Sequence, residues 1–305
     1  MRMGMGMMIG GAAGESPHVD EVIRRAQRAE AAGLHSAWLA HAFSHDAIGL
    51  LGLVGRETSR IELGTAVVPT YTRHPIAMAQ QALTTQAASQ GRFTLGIGVS
   101  HKWVIEDMYG MAYTHQLRHM REYMAVMTPL LAGQPVKHEG EEYRAEINLL
   151  VEEATSVPVV LAALGPKMLD FAGRESVGTL TWMAGHTAIR DHIVPRITTA
   201  ATAAGRPAPR VIAGLPLAIT NDAAKTREDA ANVFAIYPKL PAYRAMLDRG
   251  GLSDPTEVAL IGDAATVSGE IKRLEDLGVT DLCGYAFQAD TDAFERTVDF
   301  LGSLT

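Results

Sequence analysis

Residues 61–101 constrain the fold more than any other part of this chain. Ile61-Glu62-Leu63-Gly64-Thr65-Ala66-Val67-Val68-Pro69 is a short apolar run, and Thr70-Tyr71-Thr72-Arg73-His74-Pro75 is a polar turn. A helical segment follows over 76–90, and then a second apolar run, Gly91-Arg92-Phe93-Thr94-Leu95-Gly96-Ile97-Gly98-Val99-Ser100-His101. Short apolar runs bounded by Gly, Pro and polar residues are the pattern of strands buried on both faces. Pro75 fits a first helical turn, where its missing N–H costs nothing, and Gly91 closes the helix. Strand, loop, helix, strand implies a right-handed crossover between parallel strands. Their ends would bring Ala66, Val67, Ser100 and His101 to one rim.

The same alternation runs through the chain. The opening run over 1–9 has one positive charge and small residues after it, as a signal peptide would. We read it as a first buried strand whose glycines allow close approach. Further strands are expected over 36–39, 157–161, 179–183, 211–217 and 281–287. Helices are expected from about 17 to 33 and over 48–56 and 117–131, and later ones end at or near Gly178, Gly205, Gly250 and Gly278. Residues 134–151 read as a charged surface hairpin. About eight strands alternating with helices is a parallel α/β pattern. An open doubly wound sheet would alternate similarly, but it lacks its Gly-x-Gly-x-x-Gly turn here, because Gly96 and Gly98 lie inside a strand. With no repeat, linker or low-complexity tract, we expect a single domain over 1–305.

Composition narrows the function. The chain is 47% hydrophobic and 20% charged over 305 residues, enough for a large core. A net charge of −7 argues against a nucleic-acid partner. The one cysteine, Cys283, excludes a disulfide framework, fits a reducing cytoplasm and sits in a strand pattern. No apolar run is long enough to span a membrane. The histidines show no metal-ligand spacing; His115 and His119 stand four apart without a third ligand.

Five segments in order resemble one family. They are Ala29-Glu30-Ala31-Ala32-Gly33-Leu34 with Trp38; residues 63–75; residues 91–100; Ala162-Ala163-Leu164-Gly165-Pro166; and Gly178-Thr179-Leu180-Thr181-Trp182. The chain is similar, over about residues 1–290, to the bacterial-luciferase-like superfamily, in its branch of coenzyme F420-dependent oxidoreductases. The resemblance implies a TIM-like (β/α)8 barrel with loop insertions, holding a flavin or deazaflavin at the C-terminal ends of its strands. It also implies a non-proline cis peptide between Ala66 and Val67 behind the cofactor ring. The cofactor's phosphate would rest on 162–167, where a helix start offers N–H groups and Lys167 a charge.

The expected cofactor contacts are therefore Ala66, Val67, Gly98, Ser100, His101, Val104, Ala162, Ala163, Leu164, Gly165, Lys167 and Trp182. His41 and His101, each at a strand end, are the candidate catalytic residues, because histidine exchanges a proton near neutral pH. The family's usual Asp-His pair after Trp38 is replaced by His41-Ala42, so the role does not transfer directly. Arg73, His74, Lys102 and Lys167 are expected to meet the polyanionic tail of F420. Glu106 and Asp107, being adjacent, point to different faces and are read as solvated. Trp103 and Val104 suggest a small apolar substrate. The aromatic, proline-broken stretch 233–247 is a lid, a pocket wall or a dimer contact.

These readings lead to a cytoplasmic F420-dependent oxidoreductase, expected to be a homodimer. A two-component monooxygenase using reduced FMN, and a non-catalytic flavin or deazaflavin carrier, stay open beside it.

Overall fold

The computed structural model describes residues 3–11, 15–288 and 292–305. Met1 and Arg2, part of the expected first strand, lie outside them. The chain divides into two compact units, 1–38 with 163–305, and 39–162.

The first unit opens with β1 (Gly4–Met8), α1 (Val19–Ala31) and β2 (Ser36–Leu39), whose last residue reaches the second unit. In α1 the residues Val22, Ala26 and Ala29 are buried, one stripe at helical spacing.

The second unit continues with α2 (Ala47–Glu57), β3 (Glu62–Thr65), β4 (Val68–Pro69), α3 (Pro75–Ala88) and β5 (Phe93–Gly98). It ends with α4 (Gln116–Leu131), the strands β6 (Val136–Glu139) and β7 (Arg144–Ile147), and β8 (Val159–Leu161). β3, β4 and β8 all pair with β5 in parallel, as the strand–helix–strand pattern requires. β6 and β7 are antiparallel, the expected hairpin. The Glu122 carboxylate on α4 accepts the N–H groups of Glu141, Glu142 and Tyr143 at its turn.

The Gly91-Arg92-Phe93 segment has a structural reason. Arg92 donates to the carbonyls of Gly55, Thr58 and Ile61 and to the Thr58 hydroxyl, all at 2.8–3.1 Å. It thereby satisfies orphan carbonyls at the end of α2. Gln86, buried on α3, accepts from the Phe93 N–H and donates to the Ser156 carbonyl, tying the helix to the starts of β5 and β8.

The rest of the first unit comprises α5 (Pro166–Glu175), β9 (Gly178–Trp182), α6 (His186–Ala188), α7 (Val194–Ala203) and β10 (Arg210–Ile219). It closes with α8 (Ala223–Val233), α9 (Pro241–Gly250), β11 (Leu260–Gly262), α10 (Ala264–Asp276), β12 (Asp281–Ala286) and α11 (Ala293–Gly302). Its strands are parallel: β12 lies between β1 and β10, and both β9 and β11 pair with the long β10. β11 was not expected; at three residues it is too short for periodicity to mark, whereas β4 falls inside the run 61–69 read as one strand. Gly178 does not cap a helix. It opens β9, where a Cβ would come within 2.1 Å of the Arg210 carbonyl oxygen, so only glycine permits the β9–β10 approach.

β3 and β4 do not form one continuous strand. Gly64 pairs with Thr94, but Val68 pairs with Ile97, so this side carries one residue more than its partner, a β-bulge. Inside it the Thr65 side chain replaces the missing ladder bonds. Its hydroxyl donates to the Gly96 carbonyl and accepts the Gly96 N–H, both at 2.8 Å. A Cβ on Gly96 would lie 2.0 Å from the Thr65 carbonyl oxygen.

Thr65→Val keeps the shape but leaves two buried backbone groups without that partner. It should destabilise by about 1–3 kcal/mol, whereas Thr65→Ser should restore most of the loss. Urea unfolding of both variants checks this, and a valine variant with an unshifted midpoint would remove the hydroxyl from the bulge.

Candidate functional site

The bulge brings several of the expected residues together in the second unit. The Ala66–Val67 peptide is cis, and the Ala66 N–H is held by the Leu39 carbonyl at 2.9 Å. The Ala162 N–H bonds to the Ile97 carbonyl at 2.8 Å, carrying the pairing of β8 with β5 one step further. A Cβ on Gly98 would lie 3.1 Å from Val67 Cγ2 and 3.0 Å from Ala162 Cβ. Val67, Gly98 and Ala162 are thus one small-residue surface. Just beyond β5, Ser100 takes a left-handed conformation, φ +63°, and its carbonyl accepts from the Tyr113 hydroxyl at 3.0 Å.

His101 is half-buried, and that burial lowers its pKa below the ordinary histidine value, so the ring is neutral at pH 7. Val104 is buried in the wide helical turn Val104–Met108, while Trp103 stays half-buried with its ring 6.2 Å from that of Phe43. The indole N–H of Trp103 is buried and has no acceptor among the described residues.

His41 follows β2, and its Nδ1 accepts the Ala47 N–H at 3.2 Å. Burial lowers its pKa first, and the Arg73 guanidinium adds to this against the opposing Asp46 carboxylate. Asp46 was not singled out in the sequence, although an Asp directly before the apolar run of α2 is a helix-start signal. Its Oδ1 caps α2 at the Gly49 N–H, 2.6 Å away.

Three of the four cations expected to meet a polyanionic tail have partners within the chain. Arg73 pairs with Asp46, Lys102 pairs with Glu106, and His74 caps α3 by accepting the Ile76 N–H. A chain of net charge −7 puts a carboxylate within reach of most surface cations, and residues four apart on one helical turn meet. Lys167 is exposed.

In the first unit, each carbonyl of residues 163–166 is engaged. Ala163 accepts from the Thr179 hydroxyl at 3.4 Å, and Leu164 from His192 Nε2 at 2.8 Å. Gly165 accepts from the Leu169 N–H, and Pro166 from Arg196 Nε, both at 3.0 Å. No side chain caps the first N–H groups of α5, and a Cβ on Gly165 would meet nothing within 4 Å. This arrangement offers amides, a helix dipole and space to an anion, beside Lys167.

Trp182, at the end of β9, joins an aromatic group. Phe234, Tyr237 and Tyr285 lie 6.3, 6.1 and 5.8 Å from it, and Tyr243 stacks edge-on against Tyr237 at 4.9 Å. Met183 next to it is left-handed, φ +56°. The proline-broken stretch therefore packs on Trp182 through Phe234 and Tyr237, and Tyr285 is an unforeseen member of the group. Cys283 is buried, and burial pushes its thiol pKa up, so it is inert.

No metal-binding group of His, Cys, Asp or Glu exists among the described residues, and none of their helices is long and apolar enough to cross a membrane. His119 has another use. Its ring stacks on Tyr71 at 3.9 Å, and its nitrogens meet the hydroxyls of Thr70 at 2.8 Å and Tyr143 at 3.3 Å. Thr70 in turn donates to the Gly98 carbonyl at 3.3 Å. Burial lowers the His119 pKa to about 4. The unfolded chain, with an ordinary histidine, then binds this proton more readily than the folded one. His119 therefore contributes stability above about pH 6.5 that is lost as pH falls toward 4. His119→Gln should reduce the slope of unfolding free energy in that window by up to about 1.4 kcal/mol per pH unit. Denaturation at pH 4–7 measures it; an unchanged slope would mean His119 is charged in the fold.

Comparison with known proteins shows the family and the fold. Residues 1–281 match the family model for luciferase-like monooxygenases. The 5,10-methylenetetrahydromethanopterin reductase of Methanolobus tindarius is 30% identical over 275 residues, covering 89% of this chain and 83% of the relative. The coenzyme F420-dependent tetrahydromethanopterin reductase of Methanopyrus kandleri superposes with a TM-score of 0.86 at 24% identity, covering 100% of this chain and 99% of that one. The FMN-bound oxygenating constituent of 3,6-diketocamphane monooxygenase of Pseudomonas putida gives a TM-score of 0.79 at 17% identity, covering 99% and 97%. The fold is the closed eight-stranded parallel barrel with helices, as the resemblance implied. The chain belongs to the luciferase-like monooxygenase family.

Proposed function

We propose that the chain is a coenzyme F420-dependent oxidoreductase that moves a hydride between the deazaflavin and a small, apolar organic substrate. The observation that carries this reading is the relation to the Methanolobus tindarius reductase, held over 89% of the chain. The Methanopyrus kandleri structure, with its F420-dependent chemistry, supports it.

The residues present fit such a cofactor. The uncapped amides of α5 with open space at Gly165 suit a phosphate, with Ala163, Leu164 and Lys167 alongside. Small groups at Ala66, Val67, Gly98 and Ala162 allow a flat ring to lie against backbone. When bound, the deazaflavin supplies the hydride centre at its C5. The chain's part is to bind, orient and exclude water. In the second unit Ser100 and Val104, and in the first unit Trp182, are each proposed cofactor contacts. Phe234, Tyr237 and Tyr285 around Trp182 give an apolar surface for substrate. His41 and His101, both neutral at pH 7, would supply hydrogen bonds to cofactor or substrate.

A reduced-FMN monooxygenase is the second reading, favoured by the family's description and by the FMN-bound Pseudomonas putida neighbour. We expect micromolar or tighter F420 binding, weaker FMN binding, and no oxygen uptake with the reduced cofactor. Titration of both cofactors by fluorescence quenching, with an oxygen electrode in parallel, tests this. Tighter FMN binding with substrate-dependent oxygen uptake would replace the reading with the second one, and turnover of any acceptor excludes a mere carrier.

Lys167→Glu should weaken F420 by about 1–3 kcal/mol at low salt, through lost attraction and new repulsion. An unchanged dissociation constant would take Lys167 out of the phosphate contact.

A further inference from the structure

Around His41, the second unit holds two competitors for one ring nitrogen. The Ala47 N–H reaches Nδ1 at 3.2 Å, and Asp46 Oδ2 stands 3.8 Å from the same atom. A nitrogen that accepts an N–H carries no proton, so the proton of the neutral ring lies on Nε2. An unengaged carboxylate at Asp46 would favour the opposite, a proton on Nδ1. Asp46 is not unengaged. Its Oδ1 caps α2 at Gly49, and its Oδ2 is taken by the Arg73 guanidinium. Arg73 is itself largely buried, its side chain 19% exposed, and its Nη1 finds no acceptor among the described residues. The ion pair with Asp46 therefore fixes the guanidinium, which sets a positive charge near the ring.

We propose that Arg73 and Asp46 are positioning residues that hold His41 as the neutral imidazole with its proton on Nε2. His41 then presents an N–H donor to a ligand, and it is not an acid. The ligand contact rests on the function proposed above; the protonation state does not. Burial and Arg73 both disfavour the imidazolium, and Asp46, turned toward Arg73, opposes them only in part. Arg73 and Asp46 are the charged groups that act on this ring among the described residues. Arg73 consequently has a use other than binding a polyanionic tail.

Long-range 1H–15N spectra of the histidine-labelled, cofactor-free protein between pH 5 and 8 test the proposal. The expected result is a His41 ring with Nδ1 bare and Nε2 protonated at pH 7. Arg73→Gln removes the cation and releases Asp46 toward Nδ1, so the His41 titration midpoint should rise by about one pH unit. Asp46→Asn keeps a capping oxygen for Gly49 but removes the anion, so the midpoint should fall. A proton on Nδ1, an imidazolium at pH 7, or two variants that leave the midpoint in place or move it the same way would overturn the proposal. Should Arg73→Gln fail to fold, the wild-type tautomer and Asp46→Asn still decide it. F420 and FMN titrations of the wild type run alongside. Failure to bind either one sinks the functional reading and leaves the tautomer result standing, while a wrong tautomer with intact F420 binding sinks only this inference.

Discussion

The splice between Thr65 and Gly96 is the contact on which the second unit's geometry depends. A parallel ladder with one extra residue on one side must leave backbone groups unpaired, and a buried orphan costs about as much as a lost hydrogen bond. Thr65 resolves this with one hydroxyl, used as donor and as acceptor toward the same residue. Gly96 must lack a side chain for the two backbones to come so close. Once the ladder is spliced, β4 resumes pairing at Val68, and Val67 comes to lie against Gly98 beside Ala162. Changing either partner would disturb the bulge before it disturbed any ligand contact.

A second constraint is desolvation. His41, His101 and His119 all have pKa values lowered mainly by burial, and the carboxylates that oppose it, Asp46 at His41 and Glu142 and Glu122 at His119, do not outweigh it. Beside His41 the carboxylate is committed to Arg73, and His119 sits among tyrosines. A segment that looks rich in proton donors is therefore rich in neutral hydrogen-bonding rings. Such rings suit the hydride chemistry proposed above, in which the protein would orient and shield the reacting centre while the cofactor carries the difficult step.

Much of this was legible in the sequence. The strand–helix–strand unit, the hairpin and the buried Cys283 follow from apolar runs and turn residues, which act locally. The cis peptide at Ala66–Val67 followed from family resemblance. Charge pairing was not legible. Arg73, His74 and Lys102 read as cations near strand ends, yet Arg73 meets Asp46 from 27 positions away. Nothing in a linear pattern marks a contact made through folding. Tyr285 was missed for a similar reason: within an apolar strand its ring looks like core, and only its neighbours Trp182 and Phe234 give it a face.

The commitment of cations changes how an anionic ligand can be held. Charges already paired with Asp46 and Glu106 attract a further anion weakly, and breaking those pairs would cost what the new contact returned. Backbone amides at a helix start carry no such prior partner. The proposed cradle at 163–167 has its carbonyls tied down by Thr179, His192 and Arg196, so its amides need little reorganisation to receive a phosphate. Recognition of that kind depends on direction more than on net charge, which would reconcile the anionic cofactor proposed above with a chain of charge −7.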